Sequence, residues 1–412
     1  MNATGIRRYL VNKSENSILS FRDRDAIGFG LLEGLYYSYF GTFYCYITTY
    51  LLSCGMPDPV LSEMLSVNMF CTFFSALSWG RVCDRFQSNR KIFVLEFTAA
   101  VLLGCAVYLT AERSITVSAF IYPLFGMTLM PLSSNIDAWV LRSIDKDAQK
   151  FGKIRSSGPA FFAFSVLFQG ILIRHFGYIL LLVIPMAFAI AVLVLAFRLP
   201  EAPYRTEQAV PQYGFGKTLS ELCETMKIRE WRQMIVLSFF FGLAVMPINT
   251  LKTVLIQNVG GDVGVLGLDS FFGAILQGVF IYISGIADRL SSHIRLLLVS
   301  VCFLLTCGLT FSAASPILII AGTTIYNIGY GIMLPTVRQI NEKAIPAGQK
   351  NTAHFISDSV FTSFSGVVAL AYSSWLMDHF PIKSVPAVST VIMAGTTLFC
   401  LARKQRKLGI RV

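Results

Sequence analysis

Long apolar runs alternate with short polar interruptions along the whole chain. Twelve runs are long enough to cross a hydrocarbon core of about 30 Å as helices, near 26–52, 60–79, 92–111, 115–137, 157–174, 178–198, 234–256, 267–286, 295–313, 316–336, 353–376 and 385–402. The interruptions are brief except for residues 199–233, which are polar and carry Pro200, Pro203 and Pro211. That interval separates six runs from six. The pattern predicts an all-α membrane protein with an N-terminal segment (1–25), a six-helix bundle (26–198), a linker (199–233), a second six-helix bundle (234–402) and a basic tail (403–412).

Composition agrees. Only 14% of the 412 residues are charged and 54% are hydrophobic, where a soluble domain carries about a quarter charged residues. With the first residues placed in the cytoplasm, 30 of the 34 Lys and Arg fall on the cytoplasmic side. Three (Arg113, Arg174 and Lys383) fall outside, and Lys252 lies within a run. This bias obeys the positive-inside rule and predicts a multi-pass protein of the cell membrane with both termini cytoplasmic. The net charge of +11 is then orientation, and nucleic acid is not an expected partner. Residues 1–25 hold no short apolar core before a small-residue cleavage site, so no cleaved signal peptide is expected. Nine cysteines are scattered without a C-x-x-C pair, mostly inside apolar runs, where they read as small hydrophobes.

Enzyme motifs fail on inspection. "GFGKT" ends like a nucleotide loop, but the glycine required five places before Gly216 is Pro211. "HFISD" at His354 is one residue short of H-x-x-x-x-D, and H-E-x-x-H and G-x-S-x-G are missing. No catalytic activity, cofactor or metal is expected.

An internal repeat carries more weight. "GRVCDRF" after the second run and "SGIADRL" after the eighth place Asp84-Arg85 and Asp288-Arg289 at an offset of 204. At the same offset Tyr122 meets Tyr326, Pro131 meets Pro335 and Ile136 meets Ile340. Two related six-helix halves with a solute site between them are the arrangement of major facilitator transporters. "GRVCDRFQSNRK" resembles the loop signature of that superfamily at Gly80, Asp84, Arg85, Arg90 and Lys91, while Gln87 and Ser88 depart from the glycine and arginine expected there. The resemblance implies a gating role for these residues and for Asp288 and Arg289.

"SSNIDAWVLRSIDKDAQKFGKIRSSGPAFF" is more discriminating. It resembles the lactose permease and phenylpropionate transporter group, in which an acid on the fourth helix and an arginine on the fifth bind the solute. Asp137 falls on the acid, Arg155 on the arginine and Phe162 on an aromatic platform. The chemistry is apt: a guanidinium offers a planar fork of donors, an acid accepts from hydroxyls, and an aromatic face packs against a ring. Glu33 and Tyr37 lie one turn apart on the first helix, and Gly30, Gly34 and Gly41 predict its close packing. Glu96 is expected nearer the interface. Gln277, Asn249, Tyr326 and Asn327 are further polar candidates for the cavity.

The resemblance also has gaps. The proton-coupling residues of the lactose permease on helices eight and ten have no counterpart in "FGAILQGVF" and "TTIYNIGYGI", which leaves Asp137 or Glu33 to carry a coupling proton, or the protein to act as a facilitator without one. Lys252, well inside a span, needs a partner, and Asp358 on the facing eleventh helix is the expected one. The expected function is secondary transport of a small polar solute, a sugar or glycoside by proton symport, by a monomer in the lipid bilayer. An aromatic carboxylate as solute, or a non-transporting solute receptor on the same fold, remains open from sequence.

Overall fold

Serine, proline and aspartate set where the helices begin. The structure, a computed structural model, describes residues 23–143, 148–201, 226–283, 290–345 and 350–407. Within them twelve helical rods follow one another. α1 runs Asp23–Tyr39, passes through a π-helical turn at Phe40–Tyr44 and continues as Cys45–Ser53; α2 is Asp58–Phe86 and α3 Asn89–Ala111. α4 joins Ile115–Leu129 to Leu132–Ser143, α5 joins Ala148–Arg155 to Ser157–Phe176, and α6 is Leu180–Arg198. α7 joins Arg229–Thr250 to Lys252–Asn258; α8 is Val263–Ile283, α9 Ser292–Phe311 and α10 Pro316–Ala344. α11 runs Lys350–Ser359 through a second π-helical turn, Val360–Phe364, into Ser365–His379, and α12 is Ser384–Lys407. Ser88 and Ser114 cap α3 and α4, and Ser291 and Asp262 cap α9 and α8.

Ten of these rods are long and apolar enough to cross a membrane. The other two are α1, whose centre is rich in tyrosine and threonine, and α2. Both are helical across the expected spans. Large apolar side chains such as Leu102, Phe120, Ile190, Phe197, Val391 and Leu398 point outward. A chain that exposes this much apolar surface belongs in lipid. The chain is a multi-pass membrane protein.

Prolines leave helical carbonyls unpaired, and aromatic side chains answer them. Pro131 cannot bond the carbonyl of Met127, and the indole of Trp79 donates to that oxygen at 3.0 Å. Pro247 frees Leu243, whose carbonyl accepts from the Tyr372 hydroxyl at 3.0 Å. The repeat is inexact here, because α4 breaks at Pro131 while α10 runs through Pro335.

Within each half short connections turn successive rods antiparallel, and α1 begins and α12 ends at one face, called here the terminal face. α1 packs on α5 and α6, and α3 on α4; α7 packs on α11 and α12, and α9 on α10 and α12. Two seams join these halves: α2 with α11, and α5 with α8. In the first, Ser62 donates to the Leu370 carbonyl (2.9 Å), Ser66 to Val367 (2.9 Å) and Ser374 to Pro59 (3.0 Å). In the second, Gly170 and Gly267 cross closely beneath the Tyr46 hydroxyl, and Arg174 pairs with Asp262. These three hydrogen bonds and this ion pair lie in the half of the rods away from the terminal face.

Candidate functional site

Arg155 ends the first segment of α5. Pro159, four residues later, cannot bond its carbonyl, and the helix breaks at Ser156. Beyond the break α5 presses onto α1. Ser157 donates to the Gly30 carbonyl at 2.7 Å. Gly34 faces Phe161 and Gly41 faces Phe162, so the α1 glycines do admit a neighbouring helix as expected.

This packing delivers a charged cluster. Arg155 Nη1 donates to Glu33 Oε1, Nη2 donates to the Tyr37 hydroxyl at 2.8 Å, and Nε stands 3.4 Å from Asp137 Oδ1. The guanidinium also lies over the Tyr37 ring, 5.1 Å from its centroid. Gly158 leaves room for this, since a Cβ there would meet Tyr37 at 2.8 Å. Glu33 is fully buried, while the side chains of Asp137 and Arg155 keep 29% and 33% of their surface exposed. The cluster thus has a sealed side and an open side. Among the described residues no donor reaches Glu33 Oε2.

Aromatic rings continue inward from it. Tyr37 neighbours Phe40, which stacks on Tyr44 at 4.8 Å and lies 6.2 Å from Phe162; Tyr44 in turn faces Tyr122. Asp137, Arg155, Glu33 and Tyr37 therefore meet, with Phe162 at one remove. Gln277, Asn249, Tyr326 and Asn327 belong to the other half, on α8, α7 and α10. Gln277 is half-buried, Asn249 donates to Val245 within its own helix, Asn327 donates to Thr323, and Tyr326 stacks between Phe303 and Tyr330.

Two expectations need correction. Lys252 does not pair with Asp358: its ammonium lies 2.8 Å from Asp269 on α8. Lys252 stands near the end of α7, away from the terminal face, whereas Asp358 stands early in α11, near that face. The eighth helix also carries an acid after all. Asp269 precedes the stretch inspected for one, and its other oxygen accepts from Thr323 on α10. The signal was an Asp-Ser pair inside an apolar run. Glu96 is buried in α3 and accepts from Asn135 of α4 at 3.5 Å.

The candidate gate is visible in part. Arg90 pairs with Glu201 at 3.7 Å and donates to the Leu199 carbonyl, tying α3 to the end of α6. Arg85 is exposed, and the Lys91 amide receives the Ser88 cap. Gln87 takes the left-handed conformation (φ 49°) at the position where the motif has glycine. The surroundings of Gly80 and Asp84, and all of Asp288 and Arg289, lie outside the described residues.

Known proteins share this architecture. The nucleoside transporter NupG aligns with a TM-score of 0.75 over 92% of this chain and 98% of its own, at 14% identity. A D-xylose-proton symporter aligns with a TM-score of 0.62 over 91% and 95%, at 13% identity. In sequence, the chain is 24% identical to a maltose permease of Geobacillus stearothermophilus over 392 residues, 92% of this chain and 95% of that one. These likenesses show the major facilitator fold, and with the family match that follows they make the chain a transporter of that type and not an enzyme. A family model described as the MFS_1 like family matches residues 34–348. The chain belongs to that family.

Proposed function

We propose that this transporter carries a neutral sugar or glycoside together with a proton, by alternating access. The observation that supports this most is the charge of the Arg155 cluster. One guanidinium already faces two carboxylates, Glu33 and Asp137, so a solute carboxylate would add a third negative charge. A polyol adds none, and its hydroxyls match the exposed edge of Asp137 and the guanidinium fork. The aromatic rings from Tyr37 to Phe162 suit the apolar face of a sugar. The likeness to a maltose permease supports the same class.

Coupling follows from the sealed side. A solute hydroxyl that takes an N–H from Arg155 weakens the hold on Glu33, which is fully buried. A proton is the smallest partner that neutralises a carboxylate stranded there. With the termini in the cytoplasm, as the Lys and Arg bias favours, the seams close the outer side and the cluster faces inward. Arg90 and its neighbours in the loop after α2 then gate the cytoplasmic ends.

Uptake by proteoliposomes tests the reading, with maltose, D-xylose and phenylpropionate as probes, with and without an imposed pH gradient. Gradient-driven accumulation of a sugar is expected. Accumulation of phenylpropionate in preference to both sugars would overturn the solute class. Sugar binding without flux would favour a receptor.

A further inference from the structure

α7 breaks at Leu251, and Lys252 opens its second segment. The Lys252 ammonium lies 2.8 Å from Asp269 Oδ2 and 3.1 Å from the Ser270 hydroxyl. Asp269 Oδ1 accepts from the Thr323 hydroxyl. Two carboxylate oxygens and two hydroxyls are thus gathered from α8 and α10 beside the broken end of α7. Asp269 is 1% exposed and Lys252 26%. The segment ending at Thr250 also turns the negative end of its helix dipole toward the break.

Oxygen donors beside an interrupted helix are the setting in which transporters hold monovalent cations. The atoms that accept from the ammonium are both oxygens, which suits a hard cation, and the Cys45 thiol of α1 is the other titratable group that faces it. An ammonium meets the same demand while bonded to the chain. We propose that Lys252 is a tethered counter-cation, its ammonium filling a monovalent-cation site formed by Asp269 and Ser270, with Thr323 holding the other carboxylate oxygen. It neutralises Asp269 and pins the break in α7 to α8, the work a free sodium ion would otherwise do. This site therefore needs no free metal cation. Removing the ammonium exposes the site to one. This holds whatever solute the cluster around Arg155 accepts.

The test is thermal unfolding of the purified full chain in choline, sodium and lithium chloride at equal ionic strength and fixed pH. The parent protein is expected to unfold at the same temperature in all three. Lys252→Ala is expected to unfold lower in choline and to rise by several degrees in sodium or lithium, because an ion that binds the folded state stabilises it. Adding Asp269→Asn to Lys252→Ala is expected to abolish the rise. Lys252→Gln, which keeps much of the side-chain volume, carries the same comparison where the alanine variant does not fold. An ordinary ion pair predicts the destabilisation without the salt selectivity. A midpoint indifferent to the cation would overturn the proposal, as would rescue by lower pH and not by sodium. Failure of both variants to fold in every salt also counts against it, since a free cation should replace the lost ammonium.

Discussion

Arg174 Nε lies 3.1 Å from Asp262 Oδ2, joining the end of α5 to the start of α8 across the two halves. The same aspartate accepts from the Val265 amide at 3.0 Å, capping α8. The two roles separate by substitution. Asp262→Asn keeps a good cap and loses the ion pair, which is exposed and worth at most about 1 kcal/mol. Asp262→Ala loses both and is expected to cost about 1 kcal/mol more. Unfolding midpoints of the two variants check this; equal midpoints would show that the cap contributes nothing.

Arg155→Lys is expected to insert and fold yet bind the transported sugar at least about tenfold more weakly, the equivalent of one charge-assisted hydrogen bond. An ammonium cannot serve Glu33, Tyr37 and Asp137 from three separate nitrogens. Equilibrium binding to the purified variant measures the loss.

Glu33→Gln is expected to divide two activities. A neutral amide cannot exchange a proton, so gradient-driven accumulation should disappear while sugar exchange between loaded vesicles persists. Accumulation at the parent level would place the coupling elsewhere.

A side chain at Gly170 should force a seam apart. A Cβ there would sit 2.6 Å from the Tyr46 hydroxyl and 3.0 Å from the Val263 carbonyl. Gly170→Val is expected to open the face away from the termini, read as faster labelling of a cysteine placed beside the α5–α8 seam.

Gln87→Gly is expected to stabilise the protein by about 1 kcal/mol, since a left-handed backbone costs roughly that for a residue with a Cβ. Gln87 is exposed, so little packing is lost. A lower unfolding midpoint would show that the glutamine side chain compensates.

What the sequence made legible follows from what each feature depends on. The rods were readable because apolar length alone defines a span. Glu33 and Tyr37 were readable because four residues is one turn. Asp137 and Arg155 came from a motif whose spacing survives in this chain, and the strained turn was foreshadowed by Gln87 standing where glycine is expected. Depth was not readable. Lys252 and Asp358 lie on rods that do pack together, but at opposite ends of them, and only the antiparallel register separates those positions. Asp269 was missed because one acid within an apolar run looks like a boundary residue until two neighbouring rods supply its partners. The bond from Arg90 to Glu201 joins residues 111 apart, a pairing that no local pattern announces.

The three hydrogen bonds described across the α2–α11 seam can be undone without stranding a polar group. Their donors are serine hydroxyls, and their acceptors are main-chain carbonyls. A serine within a helix can turn its hydroxyl back to the carbonyl one turn earlier in its own rod. When the halves part, Ser62, Ser66 and Ser374 can each exchange a foreign acceptor for a native one, and the carbonyls they leave remain in their helical ladders. Substitutions at Leu370, Val367 or Pro59 alter a side chain but not the acceptor. The seam behaves as a releasable fastener whose strength is written in three serine codons, leaving the opposite strip free to vary.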